Sequence, residues 1–488
     1  MAVDDAKGAI IATLGPSSDN PDTLRKMIDA GLDLVRLNMS HGTHADAKKR
    51  FELVREVNDQ IPVLFDLSGP KIRIGKMDKP VILQTGQEFT LCKDEIIGNE
   101  TKASVTYSEL IDLAEIGHNL FLNDGLIELE VVEKIKDEIR CKIVNGGPLS
   151  SRKGVNAPDV PIALYSPTAK DKRDLDFTIS LEPDFYSVSF VRRVDDLTEV
   201  RQIISTYTDE KIPLISKIEH KNAITNIEDI IKSSDGIMVA RGDLGVELPP
   251  EEVPLIQQSL VEKCNDVAKT CIVATQMLES MVFSPRSTRA ETSDVANAIL
   301  QGADAVMLSA ETATGNYPVE AVRMMNRIIR TVEDRIKQRS SDKFDGKATI
   351  AGSIGRAAVS LASGLQADYL LAYTRSGVTS QLVSKFRPNQ PIIVITPNIK
   401  TARRTRMQWG VTPIWLKRDF NSTDEMIHAG MQEAFRLELI EKHANCVIVA
   451  GSLLGLPSTI NLIQYLNAND IISSLEASER FSKAYQIA

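Results

Sequence analysis

Cysteine is scarce in this chain: five residues in 488, at positions 92, 141, 264, 271 and 446. None forms a C-x-x-C pair or a Cys/His set at metal-ligand spacing, so they read as reduced thiols of a cytoplasmic protein rather than as a disulfide framework or a zinc site. Long apolar runs are missing too, and the start, MAVDDAKGAI, has no basic segment leading into an apolar one; neither a bilayer span nor a secretory leader is expected. Basic charge is not in surplus. Lys and Arg number 57 against 66 Asp and Glu, a net charge of -9 with pI ≈ 5.4, which argues against a broad nucleic-acid-binding face and leaves room for a local basic pocket for small anions. The common phosphate loops, G-x-x-x-x-G-K-[ST] and G-x-G-x-x-G, do not occur. No internal repeat or low-complexity segment is present.

What is present is a rhythm. Short, β-branched, nearly continuous apolar runs occur at AIIATLG (9–15), LDLVRLNMS (32–40), IPVLFDLS (61–68), DFYSVSFV (184–191), IPLISKIE (212–219), DGIMVARGD (235–243), CIVATQ (271–276) and AVMLSAET (305–312). Strands buried on both faces of a parallel sheet have this character. Helical patterns such as HADAKKRFELVREVN and TRAETSDVANAILQG separate them. Eight strand–helix units predict an α/β protein built on a (β/α)8 barrel, residues 1–69 and 168–340. Residues 70–167 interrupt it with alternating, turn-rich sequence, which predicts an inserted β-barrel lid domain able to exclude water on closure. A polar linker, RSSDKFDGKA (339–348), precedes an open α/β domain at 347–474 containing ADYLLAYT, PIIVIT, VTPIWL and NCVIVAG. A tail, 475–488, follows.

Function in such a barrel sits at the C-terminal strand ends. Here those ends carry Arg36, Asn38, Ser40 and His41; Asp66 and Ser68; Lys217 and Glu219; Arg241 and Asp243 with Gly242 and Gly245; Thr275 and Gln276; Ser309 and Glu311. Lys217 and Glu219 are two apart and share a strand face. Glu219 and Asp243 are hard oxygen donors suited to Mg2+ or Mn2+ rather than zinc. A fixed ammonium beside them can stabilise a developing oxyanion or a transferring phosphoryl group. Arg36 and Arg73 can clamp phosphate oxygens. Singly, a Lys-x-Glu pair is more often a surface pair and a threonine a packing residue. The joint placement is what counts, because unpaired charge at buried strand ends is costly.

RLNMSHG (36–42), GPKIR (69–73), NDGLIEL (123–129), KGVNAP (153–158), ISKIE (215–219), MVARGDLGVE (238–247), ATQMLESM (274–281), PRSTRAETSDVANAILQGADAVMLSAETATG (285–315) and YPVEAV (317–322) closely resemble the pyruvate kinase family, across barrel, insertion and most of the C-terminal domain. The resemblance implies a reaction of phosphoenolpyruvate and ADP with Mg2+, giving pyruvate and ATP. It implies that Glu219 and Asp243 hold the divalent ion, and that Lys217 stabilises the phosphoryl group and the enolate oxygen. Thr275 would serve proton delivery to the enolate carbon, and Arg36 and Arg73 would contact phosphoryl groups. The Gly242 and Asp243 amides would face the substrate carboxylate, and Asn38, His41, Arg73 and Lys153 would lie near the nucleotide. A homotetramer is implied on the same ground alone.

Residues 65–73, FDLSGPKIR, depart from the family at one loop. Its usual Asp-Thr-Lys-Gly-Pro-Glu sums to a charge of -1, which a bound K+ neutralises; here Asp66 and Lys71 already sum to zero. The pattern resembles the potassium-independent branch, with the Lys71 ammonium as the internal cation. Against this, Asn38, Ser40 and Asp66 match the family's monovalent-ion ligands, and Leu67 can still offer its carbonyl, so an optional monovalent site with an exposed Lys71 is the plainer alternative. In the C-terminal domain, Thr374, Ser376, Gly377 and Thr379 in TRSGVTSQLVSKF (374–386) resemble the family's effector loop and suit a phosphorylated effector, although a plain capped turn has the same composition. GSLLGLPSTIN (451–461) departs from the family's glycine-rich pattern and leaves the effector unidentified. Two rival functions share these features: a metal-dependent lyase or aldolase working through an enolate, and an idle phosphometabolite sensor.

Overall fold

The computed structural model describes residues 6–473 apart from 163–165, 334, 337–348, 419, 421 and 452–459. The expected linker at 339–348, most of 451–461, and the tail from 475 lie outside the described residues. Eight parallel strands close a barrel. In chain order they are β1 (Ala9–Thr13), β2 (Leu34–Asn38), β3 (Val63–Asp66), β4 (Phe185–Val188), β5 (Leu214–Ile218), β6 (Gly236–Ala240), β7 (Thr270–Ala274) and β8 (Ala305–Leu308). Each pairs with its sequence neighbours, and β8 closes on β1 through Ala9↔Ala305 to Ala12↔Leu308.

Period-two alternation along the strands divides the barrel wall. One set of side chains packs outward against the helices: Ile10, Val35, Val63, Leu214, Ile237 and Val273. The other fills the interior: Ile11, Leu34, Leu64, Phe185, Ile215, Met238 and Ile272. Two residues further along five of these strands come Thr13, Arg36, Asp66, Ser187 and Lys217. The polar layer at the barrel mouth is therefore the next inward-facing layer above an apolar plug. The helices carry their own stop and start signals. Thr288 and Glu291 form a capping box at the start of Arg289–Gln301, and Gly302 ends that helix at φ 102, where a side chain would be strained.

The insertion after β3 is a lid with its own core around Phe89, Leu91, Leu120, Leu129, Val131 and Ile143. It is a six-stranded sheet plus a two-stranded ribbon, Val81–Leu83 with Gly147–Leu149, so the expected β-barrel is realised as a curled sheet with a separate ribbon. The C-terminal domain is a five-stranded sheet. Four strands are parallel, and Leu462–Asn467 runs antiparallel on Asn445–Ala450 at the edge. This domain docks under the barrel. Met407 joins the barrel's interior cluster, and Arg387 reaches Asp304 (2.7 Å), Asn265 Oδ1 (2.8 Å) and the Gly302 carbonyl (2.6 Å) while lying over the Trp409 ring. No helix among the described residues is long and apolar enough to cross a membrane.

Candidate active site

The mouth of the barrel is built around one buried carboxylate. Asp66 Oδ2 accepts from Arg36 Nε (3.0 Å) and from Arg36 Nη2, and Oδ1 accepts from Ser187 Oγ at 2.6 Å. The third Arg36 nitrogen, Nη1, donates to Thr13 Oγ1 at 2.9 Å. Lys217 Nζ stands 3.3 Å from Asp66 Oδ1, 3.0 Å from Glu219 Oε1 and 2.7 Å from Ser189 Oγ. Ser189 Oγ in turn donates to the Leu67 carbonyl at 2.7 Å. Glu219 Oε2 accepts the Phe190 backbone N–H at 2.7 Å. Two cations and two carboxylates thus interlock across β2, β3, β4 and β5 with almost no solvent contact, an arrangement that holds only because each charge is paired.

The electrostatics follow from that pairing. Burial pushes the Asp66 carboxyl up, but Lys217 and Arg36 outweigh it and hold it below the usual range. Burial pushes the Lys217 ammonium down, and Asp66 and Glu219 more than restore it, so the lysine stays a fixed cation. Glu219 ends above the ordinary glutamate value: burial raises it, Lys217 lowers it, and the neighbouring Asp243 carboxylate raises it again. A buried glutamate raised in part by a neighbouring carboxylate would be relieved by a divalent cation, and both side chains are hard oxygen donors, so the residues present fit Mg2+ or Mn2+. Among the described residues no three His, Cys, Asp or Glu side chains converge as a metal site; the remaining ligands would come from substrate and water.

Thr275 and Gln276, at the end of β7, both adopt left-handed backbone, φ 72 and φ 54, a conformation that costs about 1–3 kcal/mol in a non-glycine residue and is concentrated at functional sites. Thr275 Oγ1 accepts the Gly242 N–H at 2.8 Å and donates to the Ala274 carbonyl at 2.6 Å. The Gly242 amide, expected to face a substrate carboxylate, is thus directed at Thr275. Asp243 lies in the short helix Arg241–Glu247, whose Arg241 is tied to Asp294 (2.6 Å) and the Thr275 carbonyl (2.8 Å).

The remaining expected residues divide into two groups. Asn38 Oδ1 accepts the Ser40 N–H at 3.0 Å. His41 is held below its ordinary value by burial and by Arg73, Arg36, Lys71 and Lys170, so a neutral imidazole sits in a basic surround suited to phosphate. Arg73 donates to the Arg152 carbonyl at 3.0 Å, and the Lys153 carbonyl accepts the Ile74 N–H at 2.8 Å, so both are on the hinge between lid and barrel. Lys71 Nζ contacts Asp243 Oδ1 at 2.7 Å and Asp124 Oδ1 of the lid at 3.3 Å. The effector-loop residues are far along the chain in the C-terminal domain. There Thr374 Oγ1 accepts the Gly377 N–H at 2.9 Å, Gly377 adopts φ 86, Thr379 is buried and Ser376 is exposed.

Sequence reading missed Ser187, Ser189 and Lys170. Lys170 donates to the Met39 carbonyl (2.6 Å), Ser68 Oγ (3.0 Å) and Asp174 (2.6 Å), joining three segments at the mouth. The two serines had a legible signal: they alternate within the apolar run DFYSVSFV and point the same way as Phe185. Glu311, one of the strand-end charges noted above, is buried and accepts from the Leu278 and Ser309 amides, a role in holding loops.

Comparison with known proteins decides the family. The family model described as "Pyruvate kinase, barrel domain" matches residues 6–322, and "Pyruvate kinase, alpha/beta domain" matches 352–465. The chain belongs to the pyruvate kinase family. It is 41% identical to the pyruvate kinase of Geobacillus stearothermophilus over 479 residues, covering 96% of this chain and 81% of that one. It is 40% identical to that of Clostridium perfringens over 469 residues, covering 94% and 99%. The crystal structure of a pyruvate kinase from Cryptosporidium parvum superposes with a TM-score of 0.88 at 35% identity, covering 96% of this chain and 97% of the other. The family membership makes the protein a phosphotransferase, with its catalytic barrel, lid and C-terminal domain in the family arrangement.

Proposed function

We propose that this pyruvate kinase transfers the phosphoryl group of phosphoenolpyruvate to ADP, giving pyruvate and ATP as the last step of glycolysis in the cytoplasm, and that it needs Mg2+ or Mn2+ but no K+. The observation that carries the reading is the Lys217–Glu219–Asp66–Arg36 cluster at the barrel mouth, with Asp243 beside it. Phosphoryl transfer asks the protein mainly for positioning and charge stabilisation. A divalent ion held by Glu219 and Asp243 would supply positive charge to the transferring phosphoryl oxygens. Lys217 presents its ammonium to the oxygen that becomes the enolate when the P–O bond breaks and a β-phosphate oxygen of ADP takes the phosphorus. Thr275, held by its strained turn, orients the proton route to the enolate carbon. Arg73, His41, Asn38 and Lys153 surround the nucleotide side.

Independence of K+ is supported by two features. Lys71 brings a fixed cation to the mouth, and three of the four groups that would hold a monovalent ion already have protein partners: Asp66 has Arg36, Ser187 and Lys217, the Leu67 carbonyl has Ser189, and Asn38 has the Ser40 amide. The Thr374–Thr379 loop is the place where a phosphorylated effector would act, and a homotetramer is the assembly we infer from family membership. Lys217→Met tests the chemistry directly. Loss of the aimed cation should lower kcat by about 10²–10³ while phosphoenolpyruvate and ADP still bind. An unaltered kcat would sink the assignment and favour a sensor. Pyruvate formation without ADP would favour a lyase.

A further inference from the structure

Lys71 does more in this structure than balance charge. Its ammonium lies between the barrel's Asp243 (2.7 Å) and the lid's Asp124 (3.3 Å), with its side chain only 20% exposed. Its stem runs beneath Gly154 on the returning hinge strand, where even a methyl group would stand 2.8 Å from Lys71 Cε. Asp124 is largely exposed, at 65%, and by itself such a contact is weak. Asp243 is the stronger partner. Other lid–barrel contacts line the same cleft as Lys71: Asn156 to Glu247 (3.2 Å) and Arg192 to the Ile162 carbonyl (2.8 Å). Lys71 is the residue that links the lid to a carboxylate of the catalytic cluster.

We propose that Lys71 is a latch between lid and barrel that the divalent ion opens, because ammonium and ion compete for Asp243. This rests on the reading of Asp243 as a divalent-ion ligand. An ammonium and a hard divalent cation held by one carboxylate repel each other, whether they share an oxygen or take one each, so each weakens the other's hold on Asp243. Metal binding therefore loosens Lys71 from Asp243 and leaves the weak Asp124 contact at this corner, so that the segments around Lys71 open more readily while Asn156, Ile162 and Pro158 still hold the lid elsewhere. A family member with an acid at this position has no such coupling. Lys71 thus acts as a positioning residue that sets both metal affinity and lid freedom.

The test uses the full-length protein without substrates, in tetramethylammonium buffer, with Mn2+ as probe. Free Mn2+ measured by electron paramagnetic resonance gives affinity, and hydrogen exchange of segments 70–76, 121–126 and 153–156 gives lid freedom. Lys71→Met should bind Mn2+ about tenfold tighter, a change worth ~1.4 kcal/mol, and should exchange faster in these segments without metal. Wild type should gain the same fast exchange on adding Mn2+. Asp124→Asn should exchange faster with little change in Mn2+ affinity, and it keeps the latch testable should Lys71→Met not fold. Equal or weaker Mn2+ binding by Lys71→Met, while Asp243→Asn binds Mn2+ poorly, overturns the latch alone. Undiminished Mn2+ binding by Asp243→Asn overturns the divalent-ligand reading and the latch with it.

Discussion

Asp66 ties the charged groups of the barrel mouth together. Both Arg36 and Lys217 touch its carboxylate, and Ser187 donates to it from a third direction. Its native pKa lies below the unfolded value because Lys217 and Arg36 outweigh burial. A depressed carboxylate contributes stability that is fully present above the unfolded pKa, about 3.9, and is lost as pH falls through the lower native value. Wild type should therefore be more stable than Asp66→Asn at neutral pH, and that difference should shrink as pH falls from about 5 toward 2. Thermal melts of both proteins across that range check it; a difference independent of pH would contradict the assigned charge state. Arg36 has a corresponding consequence. Each of its nitrogens already donates once, to Asp66 or Thr13, which fixes the guanidinium plane and leaves one N–H on each of Nη1 and Nη2 to meet a phosphoryl group.

At the scale of elements, the docking of the C-terminal domain depends on one arginine. Arg387 is fully buried and satisfies Asp304, Asn265 and the Gly302 carbonyl at once. Removing one partner of a buried ion pair leaves the other uncompensated, at a cost of about 3–5 kcal/mol. Arg387→Met should loosen the domain by an amount of this order, seen as Trp409 fluorescence changing at lower urea than in wild type; coincident transitions would contradict it. Neither Arg387 nor Met407 was legible as an interface residue, because their partners lie more than eighty positions away and carry no local pattern. The barrel strands were legible because burial on both faces writes a continuous apolar run. Lys217 and Glu219 were legible because charge at the end of such a run demands a reason. Ser187 and Ser189 left a signal, two hydroxyls alternating within an apolar run, but the partners of Lys71 were hidden by the fold: Asp124 comes from the lid and Asp243 from β6's following helix. The lid's division into a six-stranded sheet and a ribbon was likewise beyond strand alternation, which marks strands and not their closure.

For the whole molecule, the placement of domains explains how one active site serves several demands. The C-terminal domain plugs the bottom of the barrel with Met407, and the lid meets the mouth through Lys71, Asn156 and Arg192. A floor closed by the C-terminal domain and a roof formed by the lid would favour water exclusion during the proposed transfer. The proposed independence of K+ rests on the charges at this mouth balancing without a monovalent ion. Its direct measurement is pyruvate formation from phosphoenolpyruvate and ADP with Mg2+ in tetramethylammonium buffer, before and after K+ is added at matched ionic strength. The account predicts full activity in the absence of K+ and no further rise on its addition. Activity that appears only with K+ would contradict it.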